Sequence, residues 1–203
     1  MALSFRFATE ADIPALLKLR LAVDADQKRR FGEDRWSTSI SERSVARGLR
    51  YSRVLVATRN GRIIGALRME TKKPWAVDLR YFTPVARAVY LHDVNVEPLR
   101  QRSGVGRQLI ERAKAAARAW PVDAIRLDAY DGPAGGGPFY EKCGFTQVGR
   151  AVYRRVPLLY FEVVLGTEPQ PTSRARHGAN SRKRSASPRR CGGKERATQH
   201  GAR

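Results

Sequence analysis

The run Val94-Asn95-Val96-Glu97-Pro98-Leu99-Arg100-Gln101-Arg102-Ser103-Gly104-Val105-Gly106-Arg107-Gln108-Leu109 decides how the rest of the chain is read. An apolar strand ends, a turn with two glycines follows, and a long Ala-rich helix begins. The first amides of a helix have no carbonyl partner within it and sit at its positive end, so such a turn is an anion cradle. Gly104 and Gly106 let the backbone approach a pyrophosphate with no Cβ in the way, and Arg100, Arg102 and Arg107 supply positive charge. Two glycines at a helix start equally serve close packing of the turn against a sheet. Two nucleotide loops are excluded by spacing: no Gly-Lys-Ser or Gly-Lys-Thr follows, and Leu109 stands where a dinucleotide fingerprint has its third glycine.

Outward from this turn, Ala88 to Val96 reads as a central strand, Gly104 to Ala119 as the helix, and Ala124 to Ala129 as the next strand. That order predicts a right-handed parallel crossover. Further upstream, Leu3 to Phe7 alternates as a strand. Thr9 offers an N-cap to a helix carrying Ile13, Leu16, Leu17, Leu19 and Leu21. Ser37 to Tyr51 reads as a weaker helix. Arg53 to Thr58 and Ile63 to Met69 are strands joined antiparallel by Asn60-Gly61, a hairpin signal. Thr71 to Arg87, with Pro74 and Pro84, is a long connection. Downstream, a short helix around Pro138 to Cys143 ends at Gly144, and strands at Phe145 to Tyr153 and Pro157 to Leu165 close the fold. The expected class is α/β: a central mixed sheet of about six to seven strands flanked by about four helices.

The pattern Gln-x-x-Gly-x-Gly from Gln101 to Gly106, after Val96-Glu97-Pro98, resembles the acyl-CoA-binding motif of the GNAT superfamily of N-acetyltransferases. Phe5 to Pro14 resembles that family's opening, and Phe139-Tyr140-Glu141-Lys142-Cys143-Gly144-Phe145 its second block, so the resemblance runs from about residue 3 to 165. Pro133 to Gly137 departs from it, because many members carry a polar cofactor contact there. The resemblance implies a mostly antiparallel, twisted sheet and a transferase that moves an acetyl group from acetyl-CoA to an amine, with no metal. It implies that Val94 and Val96 hold the pantetheine, and that Gln101, Arg102, Ser103, Gly104, Val105, Gly106 and Arg107 hold the phosphates. Strand edges with free N–H and C=O groups suit an amide-bearing ligand. The resemblance also admits a homodimer through the final strand.

Direct attack by a neutral amine needs a proton acceptor and a donor for the departing thiolate. Tyr140 matches the family tyrosine that serves as donor; as a buried aromatic it equally packs the sheet. The candidate bases are His92 and Asp93, expected on opposite faces because strand side chains alternate. His92 has a suitable ordinary pKa, whereas Asp93 needs burial or a bound water to serve. Each equally suits a structural role. Asp128 and Asp131 end the following strand, where they orient a cationic amine or cap the next helix. Trp36, Trp75 and Tyr81 lie in connections that would build an acceptor pocket. Cys143 reads as a buried thiol, and neither it nor Cys191 has metal-ligand spacing.

Composition sets the wider bounds. The chain has 203 residues, 42% of them hydrophobic and 29% charged, with a net charge of +20. That length suits one domain, expected over residues 1–166. From Thr167 to Arg203 the chain has ten Lys or Arg against two Glu and almost no apolar residues, which predicts a disordered basic tail. Basic charge favours acidic partners, and the tail admits nonspecific nucleic-acid contact. A nucleic-acid- or ribosome-associated protein that keeps an acyl-CoA fold without turnover is the alternative reading. Against it, no helix-turn-helix, zinc, RNP or KH signature is present. With no apolar run of about 18 residues, no membrane association is expected and the chain reads as cytoplasmic.

Overall fold

The structure is a computed structural model that describes residues 3–32 and 39–166. Trp36, Cys191 and the expected tail at 167–203 lie outside the described residues. Asn60 and Gly61 adopt φ of 52° and 74°, the two-residue turn that folds β2 (Arg53–Arg59) back onto β3 (Arg62–Glu70). The sheet grows from this hairpin in both directions. With β1 (Ser4–Phe7), β4 (Ala88–Val96), β5 (Ala124–Tyr130), β6 (Thr146–Tyr153) and β7 (Val156–Val164), it has the order β1-β2-β3-β4-β5-β7-β6. Among the described residues only β4 and β5 run parallel, and the crossover between them is α3 (Val105–Arg118), as the sequence predicts. Arg154 and Arg155 make the closing hairpin with φ of 50° and 69°, a turn without the usual Asn or Gly.

Among the described residues four α-helices cover the sheet: α1 (Ile13–Phe31), α2 (Glu42–Tyr51), α3 and α4 (Gly137–Lys142). Two differ from their expected bounds. The second begins at Glu42, because Ser41 is extended and its hydroxyl accepts the Ser44 amide at 3.2 Å, fixing the cap there; Ser37, its expected start, lies outside the described residues. The first runs ten residues past Leu21, where apolar periodicity fades. Ion pairs extend it, with Asp24 and Lys28 at 2.9 Å and Asp26 held by Arg29 and Arg30. Its buried stripe is Leu16, Leu19 and Val23, while Leu21 is half exposed. No helix among the described residues is long and apolar enough to cross a membrane.

The two faces of the sheet differ in chemistry. Leu67, Met69, Val89, Leu91, Ile125, Leu127 and Phe161 pack with Leu109, Ile110 and Ala113 of α3 in one apolar core. The opposite face packs Val54, Val56 and Ala66 against α1 and α2, and further along it carries charge. There Arg126 Nε donates to Glu162 Oε1 at 2.8 Å, and Glu162 Oε2 accepts the Thr83 amide at 3.1 Å. This buried pair ties the long 71–87 connection beneath β5 and β7.

Candidate active site

Strands β4 and β5 pair only over Ala88–Tyr90 and Ala124–Arg126. Beyond that point they splay, leaving the second half of β4 with a neighbour only on its β3 side. A cleft of about 730 Å³ opens in the gap, lined by Val94 and Val96 of β4, Gly104 and Gly106 of the turn, Asp128 of β5 and Tyr140 of α4.

The turn at one end of the cleft follows from its sequence. The amide of Gln108 makes the first bond of α3, to the Gly104 carbonyl at 3.0 Å, so the amides of Val105, Gly106 and Arg107 have no carbonyl within the helix. Gly104 sits at φ 84° with only Gln108 Nε2 within 4 Å of where a Cβ would be. Its need for glycine is conformational. Gly106 differs: a Cβ there would meet the Phe139 ring at 3.2 Å, so this glycine lets α4 approach α3. Gln101 spans the turn, its Nε2 donating to the Val96 carbonyl at 3.3 Å and its Oε1 accepting from Arg30 of α1, also at 3.3 Å.

Of the residues expected to hold phosphates, Gln101, Arg102, Gly104, Gly106 and Arg107 line the cleft. Ser103 and Val105 do not. The Ser103 hydroxyl donates to the Arg100 carbonyl at 2.6 Å, and the Val105 side chain is in the core, so each has only backbone to offer a ligand. Arg30 and Gln27 of α1 also line the cleft. No sequence pattern singles them out, because they come from the stretch of α1 without apolar periodicity.

Of the three acid–base candidates, Tyr140 lines the cleft, whereas His92 and Asp93 do not. Tyr140 packs edge-on to Phe139 and Phe145, with ring centroids 5.2 and 6.0 Å away. Burial pushes its phenol above the ordinary value, with Asp128 and Cys143 adding to the effect, so the hydroxyl keeps its proton at neutral pH. His92 and Asp93 do not lie on opposite faces. Asp93 adopts φ 48° and the β3–β4 register shifts between Ala66 and Arg68, so β4 carries a bulge that breaks the alternation. Asp93 Oδ2 accepts from Arg68 Nη1 at 3.0 Å, and Arg68 is the partner of His92 across the ladder, which puts both side chains on the charged face.

Burial and the Arg68 charge lower the His92 pKa, which favours the neutral imidazole near pH 7. Its Nε2 is shielded from solvent with no hydrogen-bond partner among the described residues, and Glu70 Oε2 is 3.9 Å away. Asp128 is raised by burial and lowered by His92, so the two interact across the mouth of the splay.

Three further expectations change. Asp131 neither caps α4 nor faces the cleft: its amide donates to the Pro157 carbonyl and its carboxylate accepts Arg150 Nε at 2.7 Å. Pairing with β7 carries it away toward β6. Trp75 is 87% exposed, and Tyr81 stacks on Tyr160 at 5.4 Å; neither lines the cleft. Cys143 is buried and its thiol is pushed up by burial, as a packing residue would be.

A splayed parallel pair, an unpaired helix start at its mouth and a buried phenol opposite make a cleft suited to an anionic, amide-bearing ligand. Residues 50–147 match the family model described as the acetyltransferase (GNAT) domain. By this match the chain contains an acetyltransferase (GNAT) domain. A comparison with curated protein sequences returned no match.

Among solved structures, the chain is similar to a ribosomal-protein-alanine N-acetyltransferase from Brucella melitensis, with 24% identity, 80% of this chain and 99% of that chain covered, and a TM-score of 0.61. It is similar to the ribosomal-protein-S18-alanine N-acetyltransferase from Escherichia coli, with 17% identity, 83% and 99% covered, and a TM-score of 0.62. A third, the PaiA N-acetyltransferase from Thermoplasma acidophilum in complex with coenzyme A, has 14% identity, 79% and 98% covered, and a TM-score of 0.60. At these identities the likeness is one of fold.

Proposed function

We propose that the protein transfers an acetyl group from acetyl-CoA to a primary amine of a small molecule, an amino acid or a protein, by direct attack within a ternary complex. The observation that carries this reading is the cleft itself, which joins an anion cradle at Gly104–Arg107 to a half-paired strand and a protonated phenol. The fit rests on this chain's own groups. The free side of β4 can satisfy pantetheine amides, the amides of Val105, Gly106 and Arg107 suit a pyrophosphate, and Arg102 and Arg107 match its charge. Bound there, acetyl-CoA supplies the activated acyl group.

The residues divide the proton work. Asp128 lines the cleft and carries no ion pair among the described residues, so it is free to hold the amine of an acceptor. His92, neutral near pH 7, takes the proton that the amine gives up. The Tyr140 hydroxyl donates to the departing sulfur and is reprotonated from solvent. Asp93 is not the base, because Arg68 holds its carboxylate at 3.0 Å and Arg20 lies 3.6 Å away.

Calorimetric titration of acetyl-CoA into the full chain, beside a Gly104→Glu variant, tests the reading without an acceptor. Micromolar binding that the variant loses supports it. A wild-type chain that binds no acetyl-CoA refutes it.

A further inference from the structure

We propose that Arg68 and Asp93 form a clamp that holds the bulge of β4, making both positioning residues for the strand that receives acetyl-CoA. The inference rests on the acyl-CoA reading above. It starts from a local conflict. Asp93 stands at φ 48°, which a residue with a Cβ adopts only at a cost, yet the residues around it are in regular extended pairing. A strand of this composition would otherwise continue straight, with side chains alternating and its hydrogen-bonding groups aligned with β5. The bulge turns β4 out of that register, and β4 and β5 part company just before it, after the Tyr90–Arg126 pair. The geometry that opens the cleft therefore depends on an unfavourable backbone state at one residue.

Three contacts hold that state. Arg68 of β3 donates from Nη1 to Asp93 Oδ2 at 3.0 Å. Arg20 of α1 brings a second guanidinium to the same oxygen at 3.6 Å. Asn95 Nδ2 donates to the Asp93 carbonyl at 2.8 Å, fixing the peptide that follows the bulge. Arg68 is itself fixed on the other side: Nε donates to Ser52 Oγ at 3.0 Å, and Nη2 to Glu70 Oε2 at 3.2 Å. Its chain lies over Gly48 of α2, where an added Cβ would touch Arg68 Cδ and Nε at 3.4 Å. One guanidinium thus connects α2, β3 and the bulge. A planar fork with donors in several directions does this, and a lysine would not. A carboxylate occupied in this way is a strut. The alternation expected to put His92 and Asp93 on opposite faces fails at the residue where the strand stops alternating.

The clamp separates backbone shape from side-chain chemistry, and glycine at 93 is the test. Asp93→Gly keeps the positive φ at no steric cost and deletes the carboxylate; Asp93→Ala deletes the carboxylate and penalises the backbone state. Acetyl-CoA dissociation constants are measured by calorimetry on full-length chains, with circular dichroism to confirm folding. Asp93→Ala and Arg68→Met are expected to weaken binding at least tenfold, and Asp93→Gly to stay within about threefold of wild type. Should Asp93→Ala bind like wild type, or should Ala and Gly lose binding equally while folded, the clamp is refuted. If Arg68→Met fails to fold, the Asp93 pair decides alone. A wild-type chain that does not bind acetyl-CoA removes the acyl-CoA reading and the clamp with it; normal wild-type binding with unaffected variants removes only the clamp.

Discussion

Replacing Tyr140 by phenylalanine removes one oxygen from a ring whose position is set by other groups. The ring centroid lies 5.2 Å from Phe139, 6.0 Å from Phe145 and 5.8 Å from Phe161, and phenylalanine keeps all three contacts. Among the described residues the hydroxyl makes no hydrogen bond, so its loss changes folding stability by less than about 1 kcal/mol. Turnover is another matter. A positioned donor acting only as the thiolate departs is worth about 2–4 kcal/mol, or roughly 30- to 1,000-fold in kcat. Because burial raises the phenol above its usual value, it stays protonated through the working pH range, and the loss is the same at every pH. The assay is thiol release from acetyl-CoA with the best acceptor in a panel of primary amines. KM for acetyl-CoA should move by less than about twofold, since the phenol is not part of the anion cradle. A variant whose kcat stays within about threefold of wild type refutes the donor role and leaves Tyr140 as a packing residue.

Three other outcomes follow from the structure. Gly104→Ala has open space for its methyl but must hold φ 84°, so it should lose about 1–2 kcal/mol and about 2–8 °C in Tm, with weaker acetyl-CoA binding; an unchanged melting curve would show that the turn relaxes freely. Arg126→Met strands the buried Glu162 carboxylate and should cost about 3–5 kcal/mol in urea unfolding, whereas a loss below 1 kcal/mol would mean that the pair is solvated. His92 has a folded pKa below its ordinary 6.5, so its neutral form persists to lower pH: kcat/KM should fall only below about pH 6.5, and His92→Gln should lose that acid limb along with most of its rate. The same depression means that the stability linked to His92 is complete above pH 6.5 and is lost as pH falls through the folded value. A Tm that rises on acidification from pH 7 to 5 would contradict this.

What the sequence discloses is what short-range chemistry determines. Asn60-Gly61 announces its hairpin because few pairs accept two positive φ angles, and Gln101 to Gly106 announces the cradle because a strand, a glycine turn and a helix start follow one another. Within β4 the bulge leaves only a faint mark, the adjacent polar residues at 92 and 93, which break alternation without saying what holds the strand there. Its cause lies 25 residues away, in Arg68. One signal was available: Arg68 and Glu70 are charges two apart at the end of a strand whose other residues read as buried, a pattern that costs free energy unless both are paired. Arg150 as the partner of Asp131 was likewise illegible, since β6 folds back beside it only through a hairpin of two arginines with no turn signature.

The charged face of the sheet narrows the acceptor chemistry further. Burying ionisable groups is unfavourable unless each finds a partner, and here most do: Arg68 takes Glu70 and Asp93, and Arg126 takes Glu162. Two are left over. His92 is pushed down and Asp128 up, each toward its neutral form, and they stand two residues past Tyr90 and Arg126, the last pair that β4 and β5 make. A fold selected only for stability would have an apolar residue at one of these positions, or a third partner for both. A carboxyl and an imidazole that interact where the strands part suit the function proposed above, in which Asp128 holds an ammonium and His92 accepts the proton that it gives up. On this argument Asp128→Asn should raise KM for the amine more than it lowers kcat, because it keeps the shape and removes the charge that only the acceptor satisfies. Equal loss in both parameters would assign Asp128 to the proton transfer itself.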